Sequence, residues 1–453
     1  MAEKPDPYSL EGVRNREKPG FPWWTILFGL AALGLGVLIF SPYPEKIRRK
    51  AGLSEERSAS KPPKPEVVVE ERIVEKTVEK TVKVPPPYYQ AKSGSQIAKT
   101  SKGYDFRATF KELPGTLASA ERVTEGSYEA TITVTVKRPR AASTLAELQE
   151  VNPELEKILP GLPDLLKQSK VSPFFGKLYA NKAARLKSEA YQLDDLLTKH
   201  NYYDCQTMLE MDHPASKRKV FLFQADMDVV SDGSDGDRLA AMPEKIVNSS
   251  YYQPFTSYGW QKTGKVENPM IAGWRKKVAD EKAKATPSTS EIQRLERGIE
   301  DMKRRSFLIA DYDPFIVIPV DMIADRDSPY GPNVGDYVVV IHGERIFPAI
   351  VGDGGPTFKV GEGSLRLAKE VNPKASSYSR PVSEVSVTYL VFPRSSGKWK
   401  APNYEDWRSE CEKLLGEVGG LGEGYFLHQW ENTLPEPAVV EPVEVVEPGQ
   451  EGP

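Results

Sequence analysis

The sequence predicts an α+β protein, a core of β-strands with helical additions, preceded by one transmembrane helix. Three observations carry that reading. Short runs rich in β-branched and aromatic residues recur between turns: Val220–Gln224, Tyr337–Ile341, Ile346–Val351 and Val385–Phe392. Such residues favour strands because their side chains fit a pleated, half-buried surface. Other stretches space their apolar residues by three and four, as in Ile292, Leu295, Ile299 and Met302; this is the stripe of an amphipathic helix. Near the start, residues 21–40 (FPWWTILFGLAALGLGVLIF) contain no charge.

With 453 residues the chain has room for roughly one to three domains. A net charge of −3 gives no support to a nucleic-acid partner. Cys205 and Cys411 are too few for a disulfide framework and have no zinc spacing; the sequence leaves open whether they pair. His200, His213, His342 and His428 are scattered, so no histidine metal site is expected, and no metal or cofactor is expected elsewhere.

Residues 1–20 form a short polar segment. The apolar run 21–40 has the length of one membrane-spanning helix, about 20 residues. Trp23, Trp24 and Tyr43 fall where interfacial aromatics belong. Ser41-Pro42-Tyr43-Pro44 follows instead of a small-residue cleavage site, which favours an uncleaved anchor over a signal peptide. Lys46, Arg48, Arg49 and Lys50 rival the basic residues before the helix, so charge leaves the orientation open. Residues 41–101 read as a linker, with Val-Glu-Lys-Thr repeated at 74–77 and 78–81 between proline clusters. Such text lacks the apolar mass to fold, and its prolines keep it extended.

Residues 102–204 read as a small α+β module. Tyr128–Val136 alternates strictly, as a half-buried strand does. Short helices are expected over Thr144–Glu150 and Glu154–Leu159, a break at Pro160–Pro163, and a longer helix over Asn181–His200. Residues 205–430 form the main domain, with a charged helical insertion at 274–305 and a closing helix at Asn403–Leu415. Ser288 and Glu291 make a capping box inside the insertion. The acidic tail, 431–453, is Pro-, Glu- and Val-rich and expected to be disordered.

Two groups of residues in the main domain suggest chemistry. After the strand at Val220 come Asp226, Asp228, Asp232, Asp235 and Asp237. Asp226 and Asp228 alternate with Met227, so both face one side of the strand end and are candidates, with Asp232, for a substrate face. Asp235 and Asp237 read as a solvated turn. Tyr252, Tyr258 and Trp260 offer flat faces of the kind that bind sugars. The second group lies between Val334 and Glu370. Two strands, joined at His342–Arg345, lead into Gly352-Asp353-Gly354-Gly355-Pro356, and Pro348 marks an edge or bulge. The glycines permit positive φ, so a carboxylate can stand at the strand end. Glu362 follows nine residues later between Gly361 and Gly363, and Ser364–Glu370 has helical spacing. Two carboxylates so placed suit acid/base work on a glycosidic bond, one giving a proton and the other activating water. Acids beside glycines are also what solvated turns look like.

Gly352–Pro356, Val360–Ser364 and Leu367-Ala368, with Asp226-x-Asp228 and Asp232-Gly233 upstream, resemble the core of the fungal-type chitosanases, glycoside hydrolase family 75. The resemblance covers 205–430. It implies an endo-acting, inverting hydrolase of chitosan-like β-1,4-linked glucosamine polymers, with Asp353 and Glu362 as the catalytic pair, proton donor and base in that order. Asp226, Asp228, Asp232, Tyr252, Tyr258 and Trp260 would bind the substrate. The order of strands and turns also resembles a double-psi β-barrel, shared by rare lipoprotein A, membrane-bound lytic transglycosylase A and some endoglucanases. An anchor ahead of such a domain implies a single-pass membrane protein with its C-terminal domain outside the cytoplasm. The anchor, the 102–204 module and the insertion depart from the secreted family pattern. The alternatives are a non-catalytic glycan- or envelope-binding barrel, and a peptidoglycan lytic transglycosylase that needs only Asp353.

Overall fold

The computed structural model describes residues 104–114, 117–119, 122–123, 126–136, 138–188 and 202–435. The expected anchor at 21–40, the linker at 41–101, residues 189–200 of the expected long helix and most of the tail lie outside them. Among the described residues no helix is long and apolar enough to cross a membrane.

The alternating stretch forms a hairpin of β1 (Tyr104–Pro114) and β4 (Gly126–Val136), with β2 (Leu117–Ser119) and β3 (Arg122–Val123) paired between them. Three short helices follow, α1 (Leu145–Gln149), α2 (Leu155–Ile158) and α3 (Leu162–Leu166). Thr144 and Glu147 cap α1 reciprocally. Pro163 starts a helix where a break was expected, because a first-turn proline loses no hydrogen bond there. Then come β5 (Lys170–Val171) and α4 (Pro173–Ser188).

The remaining strands are β6 (Cys205–Asp212), β7 (Lys219–Val230), β8 (Gly259–Gln261), β9 (Arg305–Phe307), β10 (Phe315–Pro319), β11 (Tyr337–His342), β12 (Arg345–Gly355), β13 (Glu362–Ser364) and β14 (Val382–Val391). The helices among them are α5 (Glu244–Val247), α6 (Met270–Lys282), α7 (Thr289–Arg304), α8 (Val320–Ile323), α9 (Leu365–Val371) and α10 (Tyr404–Gly416). Neighbouring strands run β13-β10-β12-β11-β14-β7, and β7 pairs back onto β13. The result is a closed six-stranded barrel, with β6 and β5 continuing the sheet beyond β7. The chain is therefore mixed α+β with a barrel core. Closure leaves the barrel strands without free edges.

Strict alternation sorts the barrel side chains into two faces. Phe221, Phe223, Ala225 and Met227 of β7, Ile316 and Ile318 of β10, Val338 and Val340 of β11, Phe347, Ala349 and Val351 of β12, and Val387, Tyr389 and Val391 of β14 share one cluster. Helix α4 adds Phe174, Phe175, Leu178 and Tyr179 to it. The other face packs Leu222, Val339, Ile341 and Leu390 against leucines of α1–α3 and against Cys411, Leu414 and Leu415 of α10. The short helices of the 102–204 segment thus share a core with the barrel strands. Each fully buried aliphatic or aromatic side chain contributes about 1.5–3 kcal/mol. Cys205 and Cys411 lie buried in these two clusters as free thiols.

Several local expectations change. Strand β7 runs to Val230 and β12 to Gly355, so Asp226, Asp228 and Asp353 stand within strands and not in the turns after them. Pro348 pairs with Val339 in a strand whose other side is at that point covered by Trp430, which donates to the Pro348 carbonyl at 2.7 Å. Asp235 is not solvated: it is fully buried against the Arg238 guanidinium, 2.5 Å away, which also binds Asp313. Asp237 likewise accepts from Lys262 and from the Thr263 and Gly264 backbone.

Candidate active site

Strand register assembles the site. Asp228 of β7 is paired with Glu362 of β13, Glu362 with Val317 of β10, and Val317 with Asp353 of β12. Asp228, Glu362, Val317 and Asp353 therefore form one row across four adjacent strands. Strands lie about 4.8 Å apart, which puts the Asp353 and Glu362 backbones roughly 10 Å from each other.

A β-bulge decides that Asp353 joins this row. Phe315 pairs with Ile350 and Ile316 with Val351, but Val317 pairs with Asp353, so Gly352 is an extra residue. With regular pairing, Asp353 would oppose Ile318 and point into the barrel core. The bulge turns it to the face of Val317, outside that core. The glycines around Asp353 do not adopt the positive φ expected of them. They serve close packing: a Cβ on Gly352 would lie 2.6 Å from Phe315, and one on Gly355 would lie 2.7 Å from Glu362 Oε2. Positive φ occurs instead at Gly361 (+87°), where a side chain would meet the Asp226 carbonyl at 2.4 Å.

Asp353 is partly buried. Its Oδ1 accepts from the Ser257 backbone (2.8 Å), the Ser257 hydroxyl (2.5 Å) and the Gly354 backbone (2.7 Å). Burial pushes its carboxyl above the ordinary value, these hydrogen bonds pull against that, and the Glu362 charge adds to the rise. Glu362 is 5% exposed and paired with the Lys359 ammonium. Burial opposes a charge on Lys359, yet the Glu362 and Asp228 carboxylates hold its proton above the usual lysine range.

Asp232 completes the group. It accepts from the Gln253 backbone at 2.7 Å. Burial pushes it up to about 7 against that hydrogen bond, and the Asp353 and Glu362 charges push in the same direction. Tyr252 stands beside it, with its hydroxyl donating to the Gly233 carbonyl at 3.1 Å and its proton held by burial and by the Asp232 charge.

The other expected substrate residues lie deeper. Asp226 is fully buried, and burial plus the Asp228 and Asp204 charges push it well above the carboxylate range. Asp228 is bound by Arg380 Nε at 3.1 Å, and the same guanidinium lies 3.7 Å from Asp226. Tyr258 and Trp260 are 5% and 7% exposed and sit in a cluster with Leu308, Phe315 and Val317. The Tyr258 ring stacks on Trp399, and the Arg238 guanidinium lies 5.1 Å from the centre of the Trp260 ring. They share this cluster with Val317, the residue paired with both Asp353 and Glu362.

Ser257, Lys359 and Arg380 were not among the expected site residues. Nothing in their local sequence distinguishes them from solvated loop residues. The insertion also contributes. Helices α6 and α7 form a hairpin, and Phe255 packs edge-on against Trp274 of α6 at 5.1 Å. Phe255 lies two residues from both Gln253, which bonds Asp232, and Ser257, which bonds Asp353. The hairpin therefore braces the loop that orients two of the carboxyls.

Asp353 and Glu362 thus share one row, the first with its proton affinity raised by burial and the second paired with a cation. Residues 227–418 match the sequence profile of a family described as fungal chitosanase of glycosyl hydrolase group 75. The chain is a glycoside hydrolase, and its substrate class is a polysaccharide. No curated protein sequence matches it.

Proposed function

We propose that the chain cleaves chitosan-like β-1,4-linked glucosamine polymers internally, with inversion, using Asp353 as proton donor and Glu362 as base. The observation that carries this is the shared register of Asp353 and Glu362 with Val317. One intervening strand leaves room for a sugar ring and a water, and inverting enzymes hold their carboxyls about 6.5–9.5 Å apart. The raised proton affinity of Asp353 suits a donor; the ammonium on Glu362 suits an ionised base. Asp232, titrating near neutrality beside both, suits a cationic sugar, because an ammonium would hold it ionised. The description of the matched family supports the choice of chitosan.

Residues 205–430 constitute the catalytic part, and 102–204 an N-terminal module packed on it. The two parallel pairs, β7 with β13 and β10 with β12, each join strands distant in sequence, which supports reading the barrel as double-psi-like. The uncharged run 21–40 would tether the protein by a single pass, with the catalytic part outside the cytoplasm; protease protection in sealed vesicles tests this. The test of activity is incubation of the detergent-solubilised protein with chitosan and, separately, with peptidoglycan, with products read by mass. Glucosamine oligomers from wild type, lost in Asp353→Asn and Glu362→Gln, are expected. Anhydro-sugars from peptidoglycan would make it a transglycosylase, and binding without products a receptor.

A further inference from the structure

Lys359 lies in the loop between β12 and β13, three residues before Glu362. Its ammonium contacts Glu362, and the two side chains are 21% and 6% exposed. The loop is pinned. Gly361 holds a φ of +87°, its carbonyl accepts from the Asp228 backbone at 2.9 Å and from the Tyr389 hydroxyl at 3.3 Å, and the Val360 N–H points to Asp204 at 3.4 Å. Lys359 is therefore a placed cation and not a surface lysine in passing contact.

The charges around it are unequal. From β7, Asp228 faces Lys359 and is shared with Arg380, while Asp226 lies buried behind. Asp204 behind the loop is neutralised by Lys182 at 2.8 Å. Asp232 and Asp353 both feel the Glu362 charge. The contacts to Asp353 come from Ser257 and Gly354, all neutral donors. Carboxyls sharing a site compete for protons, and the one nearest a cation keeps its negative charge.

We propose that Lys359 is a positioning residue that assigns the catalytic roles: its ammonium fixes the negative charge on Glu362 and leaves the shared proton to Asp353. The proposal rests on the reading of Glu362 as the base. It is tested on the solubilised full chain as Lys359→Met and Lys359→Arg. The readouts are the pH profile of kcat on glucosamine oligomers and the carboxyl carbon resonance of Glu362, assigned by comparison with Glu362→Gln. In Lys359→Met the acid limb of the profile is expected to move up by about one pH unit or more, with KM little changed, and the Glu362 resonance to titrate later. Lys359→Arg should restore both. If Lys359→Met does not fold, Lys359→Gln keeps the length and serves the same comparison. A fall in kcat uniform across pH, with the resonance unmoved, would mean that Lys359 only packs the loop and would overturn the proposal. A wild type inactive on glucosamine polymers would sink the substrate reading alone, since the resonance still decides the role of Lys359.

Discussion

Ser257 gives both its backbone N–H and its hydroxyl to a single oxygen of Asp353, Oδ1. With Gly354 bonding the same atom, a proton on this carboxyl belongs on Oδ2. The geometry orients an acid and tempers its proton affinity at once. Ser257→Ala removes the hydroxyl bond, of a kind worth about 1.5–3 kcal/mol when the acceptor is charged. The expected result is a basic limb of the pH–rate profile displaced upward and a kcat lowered by roughly tenfold. An unchanged profile would show that the hydroxyl is incidental.

Asp232 makes stability depend on pH. An unfolded aspartate titrates near 3.9 (about), whereas Asp232 in the folded chain titrates at about 7. Between those values the folded chain binds the extra proton. This group's contribution to stability is therefore complete below the unfolded value and is lost as pH rises through 7. Asp232→Asn cannot lose a proton. Its Tm should gain on wild type from pH 5 to about pH 7 and level off above that, and a constant difference from pH 5 upward would contradict the assignment.

Gly355 lies against Glu362. A methyl group there would fall 2.7 Å from Glu362 Oε2 and 2.8 Å from Val317 Cγ1. Valine is stiff in a packed strand, so the carboxyl is the group that yields. Gly355→Ala is expected to fold and to lose at least about tenfold in kcat, since small misplacements of catalytic groups are costly. Near-wild-type turnover would mean that Glu362 is not held where the reaction needs it.

Arg380 lies against two carboxyls but not equally. Its bond to Asp228 is 3.1 Å, and Asp226 lies 3.7 Å away with neither side-chain oxygen hydrogen-bonded. Burial, with the Asp228 and Asp204 charges, pushes the Asp226 carboxyl well above the ordinary range. Arg380→Met should destabilise the fold by about 3 kcal/mol, because the buried Asp228 loses the guanidinium that binds it at 3.1 Å. Asp226→Asn should change stability by less than about 1 kcal/mol, the amide replacing a carboxyl of the same shape whose charge burial already disfavours. Denaturant titrations of both variants check the contrast; equal losses would place a charge on Asp226.

Much of this arrangement could be read in the chain. The β-branched runs become barrel strands, and the spaced apolar residues at 292–302 become one arm of a helical hairpin. Asp353 and Glu362 stand together. What could not be read was which aromatic residues meet solvent. Tyr258 and Trp260 look like a sugar platform beside an acidic turn, yet they fill a cluster behind Val317. Burial depends on what packs from elsewhere in the chain, here Trp399, Arg238 and Leu308. The function of the glycines around Asp353 was misread for the same reason: their need is space beside Phe315 and Glu362, which only neighbouring strands create.

By itself the sequence determined the local terms: strand and helix periodicity, the Ser288 cap of α7, and the two acids nine residues apart. Those terms depend on residues within a few positions of each other. Tertiary structure alone decided the surroundings of the carboxyls. Asp228, Glu362 and Asp353 come from three strands brought into one row by register and one bulge, and Lys359, Arg380 and Ser257 reach them across loops. A carboxyl's proton affinity is set by its burial and its charged neighbours, and the closing of the barrel is what supplies both.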